Sequence, residues 1–151
     1  MTTRTKTTRV PYTAQQMFDL VADVERYPEF LPWCTALRVL RRGEDGAART
    51  LLAEMIVAYK VFRERFKSEV RLDTEAGVID VAYNDGPFST LTNQWKFINE
   101  EDGGSTVVFY IDAEFNNPIL RTLAHTVFEK AFARMSEAFI ARADALYGST
   151  A

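Results

Sequence analysis

The stretch that decides the fold is KVFRERFKSEVRL, residues 60–72. Phe62, Phe66, Val70 and Leu72 fall on one side of an extended chain. Arg63, Arg65, Lys67, Glu69 and Arg71 fall on the other, which is the period of two expected of a strand with one buried and one wet face. The same reading extends in both directions. Upstream, TALRVLRR (35–42) and RTLLAEMIVAY (49–59) are strands joined by a turn at GEDGA. Downstream, GVIDVAYN (77–84), LTNQWKFIN (91–99) and STVVFYIDAEF (105–115) are strands separated by a DGPF turn and an EEDGG hairpin loop. The Thr-rich residues 3–10 alternate weakly and form a first strand.

Helices stand at two places. Thr13 is an N-cap with Gln16 three residues on, a capping box ahead of AQQMFDLVAD, where Met17, Leu20, Val21 and Val24 share a face. Pro28 and Pro32 then punctuate the chain, so this segment is a short kinked helix or a pair of turns. NNP (116–118) opens a long helix reaching about Leu146, with Gly148 as its stop. Its stripe is Leu120, Leu123, Val127, Ala131, Met135, Ala138 and Phe139, widened by Ile119, Phe128, Phe132 and Leu146. The expected class is α+β: an antiparallel sheet of about seven strands wrapped around a long C-terminal helix, two short helices following the first strand, in one domain over residues 1–151. A curved sheet and a straight helix do not match everywhere, so such a grip leaves room for a cavity.

Composition narrows the partners. The 151 residues carry a net charge of −3, which argues against a general nucleic-acid binder and leaves DNA out as a partner. One cysteine, Cys34, precludes an internal disulfide and suits a reducing compartment. One histidine, His125, with one cysteine makes a zinc site unlikely to assemble, and no metal site is expected. No apolar run is long enough to span a bilayer, and the basic MTTRTKTTRV start has no apolar stretch behind it, unlike a secretory signal.

FDLVADVERYPEFLPWC (18–34), FKSEV (66–70), DGPFSTLTNQWKF (85–97) and FEKAFARMSEAF (128–139) closely resemble the coenzyme Q-binding protein family over about residues 5–147. That family includes mitochondrial proteins and bacterial relatives, among them the ribosome-association toxin. It belongs to the helix-grip, START-like superfamily, also described as polyketide cyclase-like. The resemblance implies a domain that binds ubiquinone in an apolar cavity and supports respiration, with no chemistry on the quinone. Ubiquinone is then a bound ligand rather than a cofactor, and no cofactor is expected.

VERYPEFLPWC (24–34) concentrates Tyr27, Phe30, Leu31 and Trp33 where a connection would ordinarily be small and polar. It is either an apolar flap at a cavity mouth, closing in water and meeting lipid at the bilayer, or a static plug under the long helix. Phe62, Phe66, Phe88, Trp95, Phe97, Phe128, Phe132, Met135 and Phe139 are cavity wall or plain core. Glu64 and Ser68 share the face of Phe62 and Phe66, and Asn93 shares that of Leu91, Trp95 and Phe97. These three contact a quinone head, or they sit at strand ends near water or bond to backbone. The row Arg63, Arg65, Lys67 and Arg71 lies on the outer side. It is simply solvated, or it meets phospholipid headgroups or RNA phosphate. Cys34 could serve as a nucleophile only with His125 as its base; a buried lone cysteine is more often a small hydrophobe.

The expected function is a non-catalytic ubiquinone carrier or chaperone serving respiratory electron transport, in a bacterial cytoplasm and touching the inner membrane transiently. The alternative is a toxin-like protein that binds the large ribosomal subunit and blocks subunit joining. A cyclase or hydrolase acting in the cavity is a third reading, for which the chain offers only Glu64.

Overall fold

The computed structural model describes residues 2–148 other than 32, 60, 61, 87, 116 and 117. The side chains of 2, 59, 62, 84, 88, 115, 119, 120, 122–129 and 131 also lie outside the described set. Seven strands form one antiparallel sheet: β1 (Thr2–Val10), β2 (Cys34–Asp45), β3 (Ala48–Tyr59), β4 (Phe62–Asp73), β5 (Val78–Asp85), β6 (Phe88–Asn99) and β7 (Ser105–Phe115). Their order is β1-β7-β6-β5-β4-β3-β2. Strands β2 to β7 are a meander in which each neighbour is reached by a short turn, and β1 adds to the far edge by pairing with β7. Helix α1 (Ala14–Ala22) and a 3-10 helix (Val24–Glu29) follow β1, and α2 (Pro118–Tyr147) closes the chain. This is the helix-grip arrangement expected from the alternation of residues 60–72.

Local chemistry sets the boundaries. The Thr13 side chain accepts from the Gln16 N–H while the Gln16 side chain accepts from the Thr13 N–H, so the capping box is present. Asn99 at the end of β6 accepts from the Ala14 N–H at 2.9 Å, which fastens the start of α1 to the sheet. Met17, Phe18, Leu20 and Val21 then turn into the core. Pro28 lies within the 3-10 helix, where Phe30 and Leu31 both donate to the Tyr27 carbonyl and end the turn. Gly148 donates to the Asp144 carbonyl at 2.9 Å at the end of α2. One expectation is corrected here: Leu146 does not widen the buried stripe but is 49% exposed. The core-facing side at this end is carried by Phe139 and Ala143, and Tyr147 packs beside them.

The core lies between the sheet's inner face and the helices. Its buried members include Phe18, Leu72, Ile79, Trp95, Phe97, Phe109 and Phe139. The C-terminal half of α2 is anchored to the start of α1 through hydrogen bonds from Tyr12 to Asp144 and from Tyr147 to the Gln16 carbonyl. At ~1.5 Å per residue, its 30 residues reach about 45 Å, enough to cross the whole sheet.

Candidate functional site

The ladders arrange the inner face in rows. Phe109, Trp95, Ile79 and Leu72 form one, across β7, β6, β5 and β4. The next is Ile111, Asn93, Val81, Val70 and Leu51. Tyr83, Ser68, Ala53 and Val39 follow, then Phe66, Met55 and Leu37, and last Glu64, Val57 and Cys34. A register break between Lys67 and Ser68 separates the third row from the fourth. It brings Gly86 against Phe66: at φ 149° a side chain is strained there, and a Cβ would stand 2.6 Å from the Phe66 Cβ.

The Trp95 row is filled by α2. The Phe139 ring lies 5.0 Å from Trp95, and the Phe132 ring lies 5.4 Å from Phe109. Phe97 meets Phe18 of α1 at 5.7 Å. The rows beyond are different in kind. Ser68 is 6% exposed, yet among the described residues its Oγ finds no hydrogen-bond partner, and neither does the buried Oδ1 of Asn93. Leaving such an atom unpaired costs about 1–3 kcal/mol, so each is a group that a bound molecule could satisfy. Both were singled out from the sequence. Tyr83 was not, because the GVIDVAYN strand shows no polar interruption that marks it; only the register places it opposite Ser68. Glu64 is half-buried beside Val57 and makes no hydrogen bond or ion pair with a described residue.

Segment 24–34 is stapled to α2. The Tyr27 hydroxyl donates to the Val21 carbonyl, and burial raises the phenol above its ordinary range. Its ring packs edge-on against Phe30 at 5.9 Å and Phe139 at 5.3 Å. The Arg142 guanidinium sits 5.2 Å from the Phe30 centroid and pairs with Glu29 at 2.9 Å. Leu31 is 3% exposed and belongs to the core. Tyr27 and Leu31 thus pack into the core, while Phe30 and Trp33 remain partly exposed. Phe66, Trp95, Phe97, Phe132, Met135 and Phe139 all face inward. The side chains of Phe62, Phe88, Phe128 and His125 lie outside the described residues, so those expectations have no placement.

The outer cationic row divides in two. Arg71 is neutralised by Asp45 at 3.0 Å and Asp73 at 3.5 Å. Lys67 stands opposite Glu54, which Arg38 already holds at 3.0 Å. Arg63 and Arg65 are exposed beside Ala58 and Ile56, with no ion pair to a described residue. The outer face also carries a groove of about 680 Å³, lined among others by Arg41, Leu52, Glu69, Arg71, Gln94 and Tyr110. Its polar groups partly satisfy each other: Gln94 donates to Asp80 at 2.7 Å, and Arg41 lies 3.8 Å from Glu69. The sequence reading looked for a cavity on the inner side and did not foresee this groove.

Cys34 is buried, its Sγ donating weakly to the Ala36 carbonyl at 3.7 Å. Burial pushes its thiol up to about 11, so it is not a thiolate nucleophile near neutrality. Among the described residues, no group of His, Cys, Asp and Glu could hold a metal ion, and no helix is long and apolar enough to cross a membrane.

Comparison with known proteins agrees with this architecture. Residues 10–140 match the family described as polyketide cyclase / dehydrase and lipid transport. The ribosome association toxin RatA of Pseudomonas aeruginosa is 34% identical over 139 residues, covering 92% of this chain and 93% of its own. The mitochondrial coenzyme Q-binding protein COQ10 of Dictyostelium discoideum is 28% identical over 149 residues, 98% of this chain and 72% of its own. The solution structure of an 18 kDa protein from Caulobacter crescentus superposes with a TM-score of 0.82 at 38% identity, covering 99% of this chain and all of that one. The Zhui aromatase/cyclase from Streptomyces superposes at 0.80 with 16% identity, over 95% of this chain and 93% of its own, a likeness of fold alone. With seven antiparallel strands gripping a C-terminal helix and a family match over nearly the whole length, the chain belongs to the START-like polyketide cyclase and lipid transport family.

Proposed function

We propose that the protein binds a polyprenyl quinone of the ubiquinone type and carries or presents it to a respiratory membrane, without chemical change. The observation that carries this reading is a pair of buried polar atoms, Ser68 Oγ and Asn93 Oδ1, that find no hydrogen-bond partner among the described residues and have Leu51, Ala53, Val70 and Val81 as ladder neighbours. An apolar wall with a few placed polar groups suits a ligand with a small polar head and a long greasy tail. The likeness to COQ10, named for coenzyme Q binding, favours the same ligand. A binding role also fits an inner face on which Glu64 makes no hydrogen bond or ion pair with a described residue that could share acid–base work.

Exposing a buried CH₂ to water costs about 0.8 kcal/mol, so each five-carbon isoprene unit costs on the order of 4 kcal/mol. A long tail therefore does not cross water alone, and the carrier must touch the bilayer while the tail slides between apolar surroundings. Phe30 and Trp33, partly exposed, with Arg63 and Arg65, which make no ion pair with a described residue, on the outer face, supply an apolar and cationic contact of the sort that anionic lipid surfaces attract. On this reading the protein works, in a bacterium, at the cytoplasmic side of the inner membrane. Organic extraction of the purified full chain followed by mass spectrometry tests the proposal. Quinone at near-stoichiometric amounts is the expected result; protein that carries none and binds no short-tail analogue overturns it.

A second reading, association with the large ribosomal subunit, is favoured by the RatA likeness. Arg63 and Arg65 would then meet RNA phosphate. Sedimentation with the large subunit in a sucrose gradient, lost on reversing both charges, is what that reading requires.

A further inference from the structure

We infer that Ser68 and Asn93 hold the quinone head in its oxidised and its reduced form with nearly equal affinity. This rests on the quinone reading and adds what the site asks of its ligand. A para-quinone presents two carbonyl oxygens that only accept. Two-electron, two-proton reduction turns both into hydroxyls, which donate as well. A site built from Lys or Arg would offer donors alone and favour the oxidised head; one built from ionised Asp or Glu would offer acceptors alone and favour the reduced head. A serine hydroxyl and a carboxamide each offer both. Which amide atom faces inward is exchangeable by a turn of the Asn93 side chain, so either oxidation state finds its complement. The ladder positions between and beside these two residues are Val81, Val70, Tyr83 and Ala53, none of them a lysine, arginine, aspartate or glutamate. The rim cation of the Asn93 row, Arg42, is held by Glu25 at 2.6 Å.

The spacing is suitable too. Asn93 and Ser68 lie two strands and two residues apart, roughly 11 Å along the backbone surface. A para-quinone ring with a hydrogen bond of about 2.8 Å at each oxygen bridges groups roughly 10 Å apart. One residue per oxygen is therefore reachable, across a floor formed by Val81 and Val70.

The test titrates the full chain anaerobically with a decyl-tailed ubiquinone and with its quinol, read by tryptophan fluorescence and checked by calorimetry. Affinities within about threefold of each other are expected. Ser68→Ala and Asn93→Leu each weaken both forms in parallel, by about three- to tenfold per lost hydrogen bond. A wild-type preference above tenfold for either form overturns the inference while leaving the quinone reading intact; so does a variant that weakens one form and spares the other. Binding of neither form overturns both. Far-UV circular dichroism and the thermal midpoint identify a variant that fails to fold, and Ser68→Ala, the smaller change, then decides the outcome.

Discussion

The two halves of the inner face are built on opposite principles. Around Trp95 the space is closed by rings: Phe97, Phe109 and Phe139 lie within 6.2 Å of it, centroid to centroid, and α1 seals the end through Phe18. From Asn93 toward Glu64 the same strands carry hydroxyl, amide, phenol and carboxyl groups between smaller apolar ones. The first half spends its residues on stability. The second leaves polar atoms unpaired, which a domain of marginal stability tolerates only where the first half over-provides. The lesson is that one end of a sheet can be packed hard enough to leave the other end unfinished, with no second domain to stabilise it.

That contrast breaks most directly at Trp95. Trp95→Ala removes a 6% exposed ring from the closed half and is expected to cost about 3–5 kcal/mol in urea or thermal unfolding. Phe66→Ala, in the half-buried open part, should cost far less, about 1 kcal/mol. Equal losses at the two positions would mean that the halves are not energetically distinct.

Segment 24–34 divides along the same line. Leu31→Ala should cost about 2–5 kcal/mol, since Leu31 is core. Trp33→Asp should leave the unfolding midpoint nearly unchanged while lowering association with anionic vesicles. A Trp33→Asp protein that sediments with vesicles like the parent would leave the segment as a plug and nothing more.

On the outer face, Arg63→Glu with Arg65→Glu should weaken vesicle binding by more than about 2 kcal/mol, at ~1 kcal/mol for each cation lost near an anionic surface. Arg71→Gln, whose charge already serves Asp45 and Asp73, should change it little. A larger effect at Arg71 would move the contact to the outer groove.

The pH response comes from the far end of the open half, where Cys34 shares a row with Val57 and Glu64. The Cys34 thiol lies at about 11 in the fold against an ordinary 9.0, raised by burial. The folded state holds this proton more tightly than the unfolded chain. Its contribution is complete below pH 9 and is lost as the pH rises through 11. Cys34→Ala should therefore flatten the fall in stability between these values, measured by urea unfolding at each pH. An unchanged slope would assign the alkaline fall to the phenols of Tyr12 and Tyr27, which are also raised.

Much of this was legible in the sequence. Alternation in residues 60–72 and the turn residues after each strand foretold seven strands in meander order. The Thr13–Gln16 spacing foretold the cap, and strand parity alone put Ser68 and Asn93 on the inner face. What escaped depends on contacts between distant segments. Leu31 and Phe30 are adjacent apolar residues, yet Leu31 is buried in the core while Phe30 stays partly exposed against Phe139 and Arg142 of α2. Arg71 looked like its neighbours Arg63 and Arg65 until Asp45, on another strand, came beside it. Tyr83 gained meaning only from the strand register that sets it opposite Ser68, and Leu146 lost its place in the stripe because Phe139, Ala143 and Tyr147, four residues apart, carry the core-facing side of α2.

The smallest expected effect is also the sharpest control. Ser105 is 0% exposed and its Oγ, like that of Ser68, has no hydrogen-bond partner among the described residues. It opens β7, paired with Val10 and Asn99, far along the ladder from Ser68 and Asn93. If an unpaired hydroxyl marked a ligand subsite wherever it occurred, Ser105→Ala and Ser68→Ala would both reduce quinone binding. The division of the inner face demands otherwise. Ser105→Ala removes a buried group with no partner, so stability should stay level or rise by up to about 1 kcal/mol, with binding untouched. Ser68→Ala should likewise spare stability but weaken binding. Quinone affinity that falls equally in both variants would show that the hydroxyls act through the sheet as a whole and not by touching the head, and the two-part interior would lose its meaning.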